Sequence, residues 1–237
     1  MFKQIDIETI QECNRRCGYC PNSTHYEQRT GGKPAVMPDE TLTAIISELR
    51  DLRFVGKVNL NLYGEPLLDP RIISIVGRVA EIGAIPVIYT NGDKLDDGMA
   101  KSLKRVSHAR AVVCVTDHNK DKNKKLEIMS SGYGFRYRHF SAGADVLHNR
   151  CGLVDHPLAK ARAAACFPKT QHMYINANGQ AQLCCNDYLA EVGYGDVAER
   201  GLIHIWNDSL YLAHRRRLPN LSLDICRKCN CTSRSYP

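Results

Sequence analysis

Three thiols stand close together near the start of the chain, Cys13, Cys17 and Cys20, spaced Cys-x3-Cys-x2-Cys. Thiolates are soft ligands, and three on one short loop can hold three irons of a four-iron cluster. The fourth iron then lacks a protein ligand, and an open coordination position is where a metal does chemistry rather than only bracing a fold. A zinc knuckle completed by His25 is the competing reading, but zinc sites pair one Cys-x2-Cys with a second such pair. Another set lies toward the other end: Cys166, Cys184, Cys185, Cys226, Cys229 and Cys231. Cys166-x12-Gly179-x4-Cys184 followed by Cys226-x2-Cys229 offers four thiolates, enough to close a second metal site or to form a zinc ribbon. Cys184 and Cys185 are adjacent and Cys231 lies just past Cys229, so the choice within each pair stays open. Eleven cysteines, grouped and odd in number, argue for metal ligation in a reducing compartment and against a disulfide framework.

These thiols need a scaffold. The chain has 237 residues, 43% hydrophobic and 24% charged, an ordinary globular composition. Its first two-thirds alternates strand and helix patterns. Residues 4–9 read as a strand leading into the cysteine loop, 57–63 as a strand, 86–89 as a strand stopped by Asn91-Gly92, and 110–116 as another. Helical spacing marks 39–52, through Leu42, Ile45, Ile46, Leu49 and Leu52, and also 96–106. A helix is expected to open at Asp69-Pro70 and close at Gly83. Residues 118–125 read as a polar, Lys-rich loop, and 135–140 and 145–149 as further strands.

Such alternation predicts an α/β fold with a parallel sheet: an open, partial β/α barrel of about six units, too few for a closed eight-unit barrel. Sites of these sheets lie at the C-terminal strand ends. The cysteine loop, Gly64-Glu65-Pro66 and Thr90-Asn91-Gly92 all fall there. From Cys166 the texture changes. Strands at 172–176 and 180–183 flank a hairpin signal at Asn178-Gly179, and a helical stretch follows at 202–217. The expected division is a barrel core over 1–160 and a small cluster module over 161–237. A module that small benefits from a metal staple.

The cysteine loop resembles that of the radical S-adenosylmethionine (AdoMet) superfamily, also called radical SAM. The resemblance implies that the open iron chelates AdoMet and that one-electron cleavage yields a 5′-deoxyadenosyl radical, which abstracts hydrogen from substrate. Tyr19 is similar to the aromatic residue before the third cysteine, packed near the adenine. Gly64-Glu65-Pro66 resembles the Gly-Gly-Glu motif that receives the AdoMet amino group, with Tyr63 in place of the first glycine. Tyr89, Thr90 and Asn91, and then Thr116, Asp117 and His118, are expected to border AdoMet. The C-terminal set resembles the twitch module, a shortened SPASM domain holding one auxiliary [4Fe-4S] cluster. It implies Cys166, Cys184, Cys226 and Cys229 as ligands. Cys184 is preferred over Cys185 because it keeps the Gly-x4-Cys spacing.

Residues 13–23, 63–68, 88–93 and 149–152 are similar to twitch-bearing dehydrogenases of aminocyclitol antibiotic biosynthesis. That likeness implies oxidation of an alcohol to a ketone, with Arg150 engaging the substrate hydroxyl, Tyr63, Tyr89 and Asn186 lining the substrate, and the auxiliary cluster accepting an electron. One departure is Cys185-Asn186, where those enzymes carry Phe-Glu; asparagine lacks the charge to hold an ammonium, so a different small polar substrate is expected. A thiol can also return a hydrogen atom to a carbon radical, which makes Cys185 and Cys151 donors in an alternative epimerase reading; both also suit small buried apolar positions. Peptide modification is a further alternative.

The net charge of +7 is no nucleic-acid signature alone, and His214-Arg215-Arg216-Arg217 reads as a solvated helix face. The expected partners are a small-molecule substrate and a low-potential donor such as flavodoxin or ferredoxin, without membrane or nucleic acid. No apolar run approaches the ~20 residues of a membrane helix, and the start has no signal-peptide shape. The expected compartment is the cytoplasm.

Overall fold

Strand residues alternate between two faces of a sheet, and here the alternation separates packing from chemistry. Ile5, Ile7, Val58, Ile88, Val113 and Val115 are buried against the outer helices, while Asp6, Asn59, Tyr89, Cys114 and Thr116 occupy the intervening strand positions. The computed structural model describes residues 1–140, 148–155, 166, 171–217 and 222–230. The strands are β1 (Gln4–Ile7), β2 (Lys57–Asn59), β3 (Ile85–Thr90), β4 (Val112–Asp117), β5 (Arg136–His139), β6 (His172–Ile175), β7 (Gln180–Gln182) and β8 (Gly193–Asp196). They form one sheet in the order β5-β4-β3-β2-β1-β6-β7-β8. The pairs from β5 through β6 are parallel, and β7 and β8 are antiparallel additions.

Three helices complete the first units: α2 (Asp39–Asp51), α3 (Ile72–Glu81) and α4 (Asp97–Val106), preceded by the short α1 (Tyr26–Thr30). The buried stripe of α2 is Leu42, Ile45, Ile46 and Leu49, and that of α3 is Ile72, Ile75, Val76 and Val79. Each such side chain contributes about 1.5–3 kcal/mol on burial. The open α/β sheet is thus the expected class, with one difference in its construction. Strand β6 pairs with β1, from Gln4↔His172 to Ile7↔Ile175, rather than continuing past β5. The C-terminal region therefore extends the sheet of the first two-thirds.

Several expectations shift. Helix α3 starts at Ile72, not at Asp69-Pro70, because Pro66–Leu68 is a 3-10 turn and Asp69 instead accepts the Arg71 N–H at 2.9 Å. Gly83 does end it, with φ +86°. The Lys-rich loop ends early: α5 (Lys124–Gly132) begins within it, capped by Asn123 Oδ1 on the Leu126 N–H at 3.1 Å. Its apolar residues were too few to show a period. Residues 202–217 are two helices, α7 (Leu202–Trp206) and α8 (Ser209–Arg216), because Asp208 caps the second through the Leu210 N–H. A four-residue α6 (Val197–Arg200) precedes them, and α9 (Asp224–Lys228) follows.

Of the strand expected at 145–149, positions 145–147 lie outside the described residues, and His148 and Asn149 are irregular. The basic run is not a uniform solvated face either. The Arg215 guanidinium stacks 3.5 Å from the Trp206 ring centre and donates to the Trp206 carbonyl, and Arg215 is buried. Arginine's planar, weakly hydrated head suits that position. Among the described residues no helix is long and apolar enough to cross a membrane.

Candidate functional site

The cysteine loop has no regular structure of its own and is held by side chains. Arg15 forks onto Asp93, Nε to Oδ2 at 2.6 Å and Nη2 to Oδ1 at 2.5 Å, and also reaches Asn119 Oδ1 at 3.1 Å. Asn14 donates to Asp93 at 2.7 Å and accepts from Asn91 Nδ2 at 3.0 Å. Arg15 holds the Asp93 carboxyl below the usual carboxylate range. The loop is thereby pinned to the ends of β3 and β4. Gly64 sets its other side: a Cβ there would fall 1.8 Å from the Ile10 carbonyl oxygen. Glu65 N–H donates to the Glu12 carbonyl at 2.8 Å, just before Cys13.

Cys13, Cys17 and Cys20 are half-buried. Burial pushes the Cys13 thiol up to about 11, and the charges of Glu65, Cys20 and Cys17 add to the rise. Three thiolates that penalise one another in this way are stabilised by a cationic centre, as an iron cluster provides. Among the described residues no group of three His, Cys, Asp or Glu side chains closes to coordinating distance. What suits the cluster is donor chemistry rather than a preformed cage.

Next to this loop lies an aromatic wall. The Tyr19 hydroxyl bonds His118 Nδ1, and the Tyr19 and Phe140 ring centres are 4.2 Å apart. Burial, with the charges of Arg15 and Arg138, lowers His118 to about 4, so the ring is neutral at physiological pH. Asp117, expected beside the same ligand, turns into its own loop. It accepts from Asn119, Asn123 and Tyr137. Burial raises its pKa, but those bonds prevail and hold it low. Thr116 Oγ1 accepts from Arg138 Nε at 3.3 Å.

Glu65 also turns inward. Its carboxylate accepts from Thr90 Oγ1 at 2.6 Å, Asn91 N at 2.9 Å and Leu67 N at 3.1 Å. The motif glutamate therefore ties its loop, together with the start of the Pro66 turn, to the end of β3. Burial raises its pKa against those bonds.

The residue not foreseen is Glu8, 0% exposed, immediately after β1. Arg29 donates to both of its oxygens at 3.0 and 2.6 Å, and the N–H groups of Tyr63, Gly64 and Ala177 converge on it. One carboxylate thus joins the helix after the cysteine loop, the Gly64 turn and the turn beyond β6. The only signal for it was a charge inside an apolar run, Ile7-Glu8-Thr9-Ile10. Arg29 lies 5.2 Å from the Tyr63 ring centre and 4.7 Å from that of Tyr188. The two tyrosines meet edge to face at 4.7 Å, and Asn22 bridges them by donating to the Tyr63 carbonyl and accepting from the Tyr188 hydroxyl.

Tyr63 reaches across to the C-terminal thiols, its hydroxyl donating to the Cys185 carbonyl. Arg150 lies 5.6 Å from the Tyr63 ring centre and donates to Asn186 Oδ1 at 2.9 Å, and its charge acts on Cys20. Tyr89 projects half-exposed next to Cys114, its pKa raised by burial and the charges of Cys114 and Asp6. Cys166, Cys184, Cys226 and Cys229 are all buried, whereas Cys185 is partly buried against the core and Cys151 is inside it. Asn186, expected to face substrate, is 1% exposed and turned to the thiols: its N–H lies 3.4 Å from Cys184 Sγ and its Nδ2 3.8 Å from Cys229 Sγ. Cys231 lies outside the described residues.

Two family models cover most of the chain, and Cys13, Cys17 and Cys20 fall within one and Cys166, Cys184, Cys185, Cys226 and Cys229 within the other. Residues 7–138 match the Radical SAM superfamily, and residues 166–230 match SPASM, an iron-sulfur cluster-binding domain. The chain is 28% identical to the S-adenosyl-L-methionine-dependent 2-deoxy-scyllo-inosamine dehydrogenase of Niallia circulans, over 97% of this chain and 93% of that one. It is similar to the crystal structure of BtrN in complex with AdoMet and 2-DOIA, with a TM-score of 0.85 and 26% identity over 100% of this chain and 96% of that one. SuiB of Streptococcus suis, bound to the precursor peptide SuiA, shares the fold alone, at a TM-score of 0.59 and 13% identity over 97% and 71% of the two chains. The matches make [4Fe-4S] clusters and AdoMet the cofactors of this chain.

Proposed function

Because the chain belongs to the radical SAM superfamily, we propose that it oxidises an alcohol carbon of a small polar substrate, a sugar or cyclitol, to the ketone. Bound AdoMet would supply a 5′-deoxyadenosyl radical to take the carbinol hydrogen atom; the hydroxyl proton would leave to a base, and the auxiliary cluster would be the acceptor for the remaining electron. Two electrons and two protons are thus removed, one hydrogen atom to 5′-deoxyadenosine and one proton plus one electron elsewhere. In this reading Cys13, Cys17 and Cys20 hold the AdoMet cluster. Cys166, Cys184, Cys226 and Cys229 hold the auxiliary one, in a module spanning 161–237 behind a core over 1–160. Tyr19 and His118 flank the adenine, and Tyr63, Tyr89 and Arg150 bound the substrate.

The single observation that carries the reading is the place of Arg150. It acts electrostatically on Cys20 and is hydrogen-bonded through Asn186 to the neighbourhood of Cys184 and Cys229. A guanidinium linked in this way to residues of both thiol sets stabilises the alkoxide character of a hydroxyl losing its proton. The 2-deoxy-scyllo-inosamine dehydrogenase that this chain resembles supports the same reaction class. The epimerase alternative gains no such support: Cys151 is buried in the core, and Cys185 packs partly against it. The protein's reductant is a flavodoxin or ferredoxin, and its compartment the reducing cytoplasm.

The test is an anaerobic reaction of reconstituted enzyme with AdoMet, dithionite and a panel of sugars, cyclitols and aminocyclitols deuterated at single carbinol carbons. The expected result is one ketone per 5′-deoxyadenosine, with deuterium in the latter. Inverted alcohol in which solvent hydrogen has replaced the carbinol deuterium, with no ketone, replaces oxidation by epimerisation.

A further inference from the structure

Asn186 makes hydrogen bonds in two directions, and the two ends are chemically unlike. Its backbone N–H points to Cys184 Sγ at 3.4 Å and its Nδ2 to Cys229 Sγ at 3.8 Å. Its Oδ1 accepts from Arg150 Nη1 at 2.9 Å. The residue is 1% exposed, so water does not compete at either end. Arg150 needs the support: Arg150 and Cys151 both sit in the left-handed region, at φ +47° and +58°. Such backbone persists only where its surroundings over-determine it.

The rest of that support comes from the second thiol loop. Asn149 N–H donates to Asn230 Oδ1 at 2.8 Å, Asn230 N–H returns a bond to Asn149 Oδ1 at 3.2 Å, and Asn149 Nδ2 donates to the Lys228 carbonyl at 2.7 Å. The segment bearing Arg150 is therefore fastened to the segment bearing Cys226 and Cys229, and Asn186 closes the third side.

We infer that Asn186 is a positioning residue that couples the auxiliary cluster to Arg150, raising the potential of the cluster and holding the guanidinium at the substrate. N–H donors on cluster sulfurs stabilise the more negative reduced state and so raise the potential. A guanidinium drawing on Oδ1 polarises the amide and strengthens its N–H toward sulfur, since linked hydrogen bonds reinforce one another. The two roles share one side chain. This assignment rests on the auxiliary-cluster role proposed above, but its test does not require a substrate.

The test uses the reconstituted full chain carrying Cys13→Ala, Cys17→Ala and Cys20→Ala, so that only the auxiliary cluster contributes to the electron paramagnetic resonance signal. Potentiometry of Asn186→Leu, which removes both side-chain bonds at similar volume, is expected to show a ratio of reduced to oxidised cluster about tenfold lower at fixed potential, equivalent to ~59 mV for one electron. Asn186→Asp keeps an acceptor for Arg150 but loses the N–H donor. Its potential is expected to fall also, while amide hydrogen exchange over 149–152 stays at the parent rate; in the leucine variant that exchange is expected to quicken. If the leucine variant does not assemble its cluster, the aspartate variant decides. An unchanged potential in every variant that assembles overturns the inference, and leaves the ketone assay to judge the reaction separately.

Discussion

The two thiol sets are held in opposite ways. Cys13, Cys17 and Cys20 lie half-buried on an irregular loop fastened by charged side chains, Arg15 on Asp93 above all. Cys184, Cys226 and Cys229 lie at 0%, 3% and 7% exposure in the hydrophobic core, among Tyr194, Tyr211 and Trp206. A site that must admit a ligand such as AdoMet cannot be sealed by packing, so polar side chains position its donors from the rim. The electron-accepting role proposed for the second set would gain from a dry, fixed shell, which sets a cluster's potential. Accessibility and rigidity are met by different physics in one continuous sheet.

The sharpest way to break this contrast is to empty each site in turn. Replacing Cys13, Cys17 and Cys20 together by alanine is expected to abolish 5′-deoxyadenosine formation and remove about half of the iron. The melting temperature should move little, because the loop is tied by Arg15, Asn14 and Asp93 rather than by its thiols. Cys184→Ala is expected to do the reverse: 5′-deoxyadenosine still forms, ketone does not, and calorimetry shows a Tm roughly 5 °C lower or more, as expected when a buried staple is lost. Equal thermal losses in the two variants would end the comparison.

Glu8 joins the two halves, so its loss should harm both. Glu8→Ala leaves Arg29 buried without its partner, and breaking a buried pair in this way costs about 3–5 kcal/mol. Urea unfolding of the apoprotein measures it.

A smaller effect comes from Asp6, under the same site. Burial raises its carboxyl to about 7, with Asn59 and Gln4 opposing the rise. His172 stands 3.9 Å away but is itself held neutral by burial down to about 4, so it offers no counter-charge. In the fold Asp6 keeps its proton up to about pH 7, whereas in the unfolded chain it releases it near 3.8. Its neutral form therefore favours the fold below 3.8, and that contribution is lost as pH rises from about 4 through 7. Asp6→Asn has no such loss and is expected to gain on the parent by a few kcal/mol between pH 4 and pH 8. Comparing the two proteins cancels His118 and His172, whose lowered pKa values act with the opposite sign between about 4 and 6.5.

The smallest effect belongs to neither region. Lys122, just before α5, and Glu127 on it meet at 2.5 Å at the surface. Lys122→Ala is expected to cost less than about 1 kcal/mol, as exposed pairs do, and serves as the baseline for the others.

Much of this was legible in the chain itself. The cysteine spacings, the strand-helix alternation and the Asn178-Gly179 hairpin are local patterns, and local patterns survive in a linear text. Helix α5 was not legible, because it is short and polar and one of its three apolar residues, Ile128, lies off the Leu126–Met129 face and is exposed. Neither was the break at Asp208, where a cap inside a helical run divides it. Asp117 stood at the end of β4 and Asn186 in the expected site, but their side chains turn inward to partners that sequence distance conceals, Tyr137 and Cys229.

Sequence alone determined that two sets of soft ligands ride on a parallel α/β scaffold, because ligand type, spacing and hydrophobic period are properties of neighbouring residues. Tertiary structure decided that β6 docks beside β1, that Glu8 gathers three segments, and that Asn186 joins the thiols to Arg150. Those contacts span up to 169 positions along the chain, and buried polar groups find such partners only when the packed fold has excluded water and left no other.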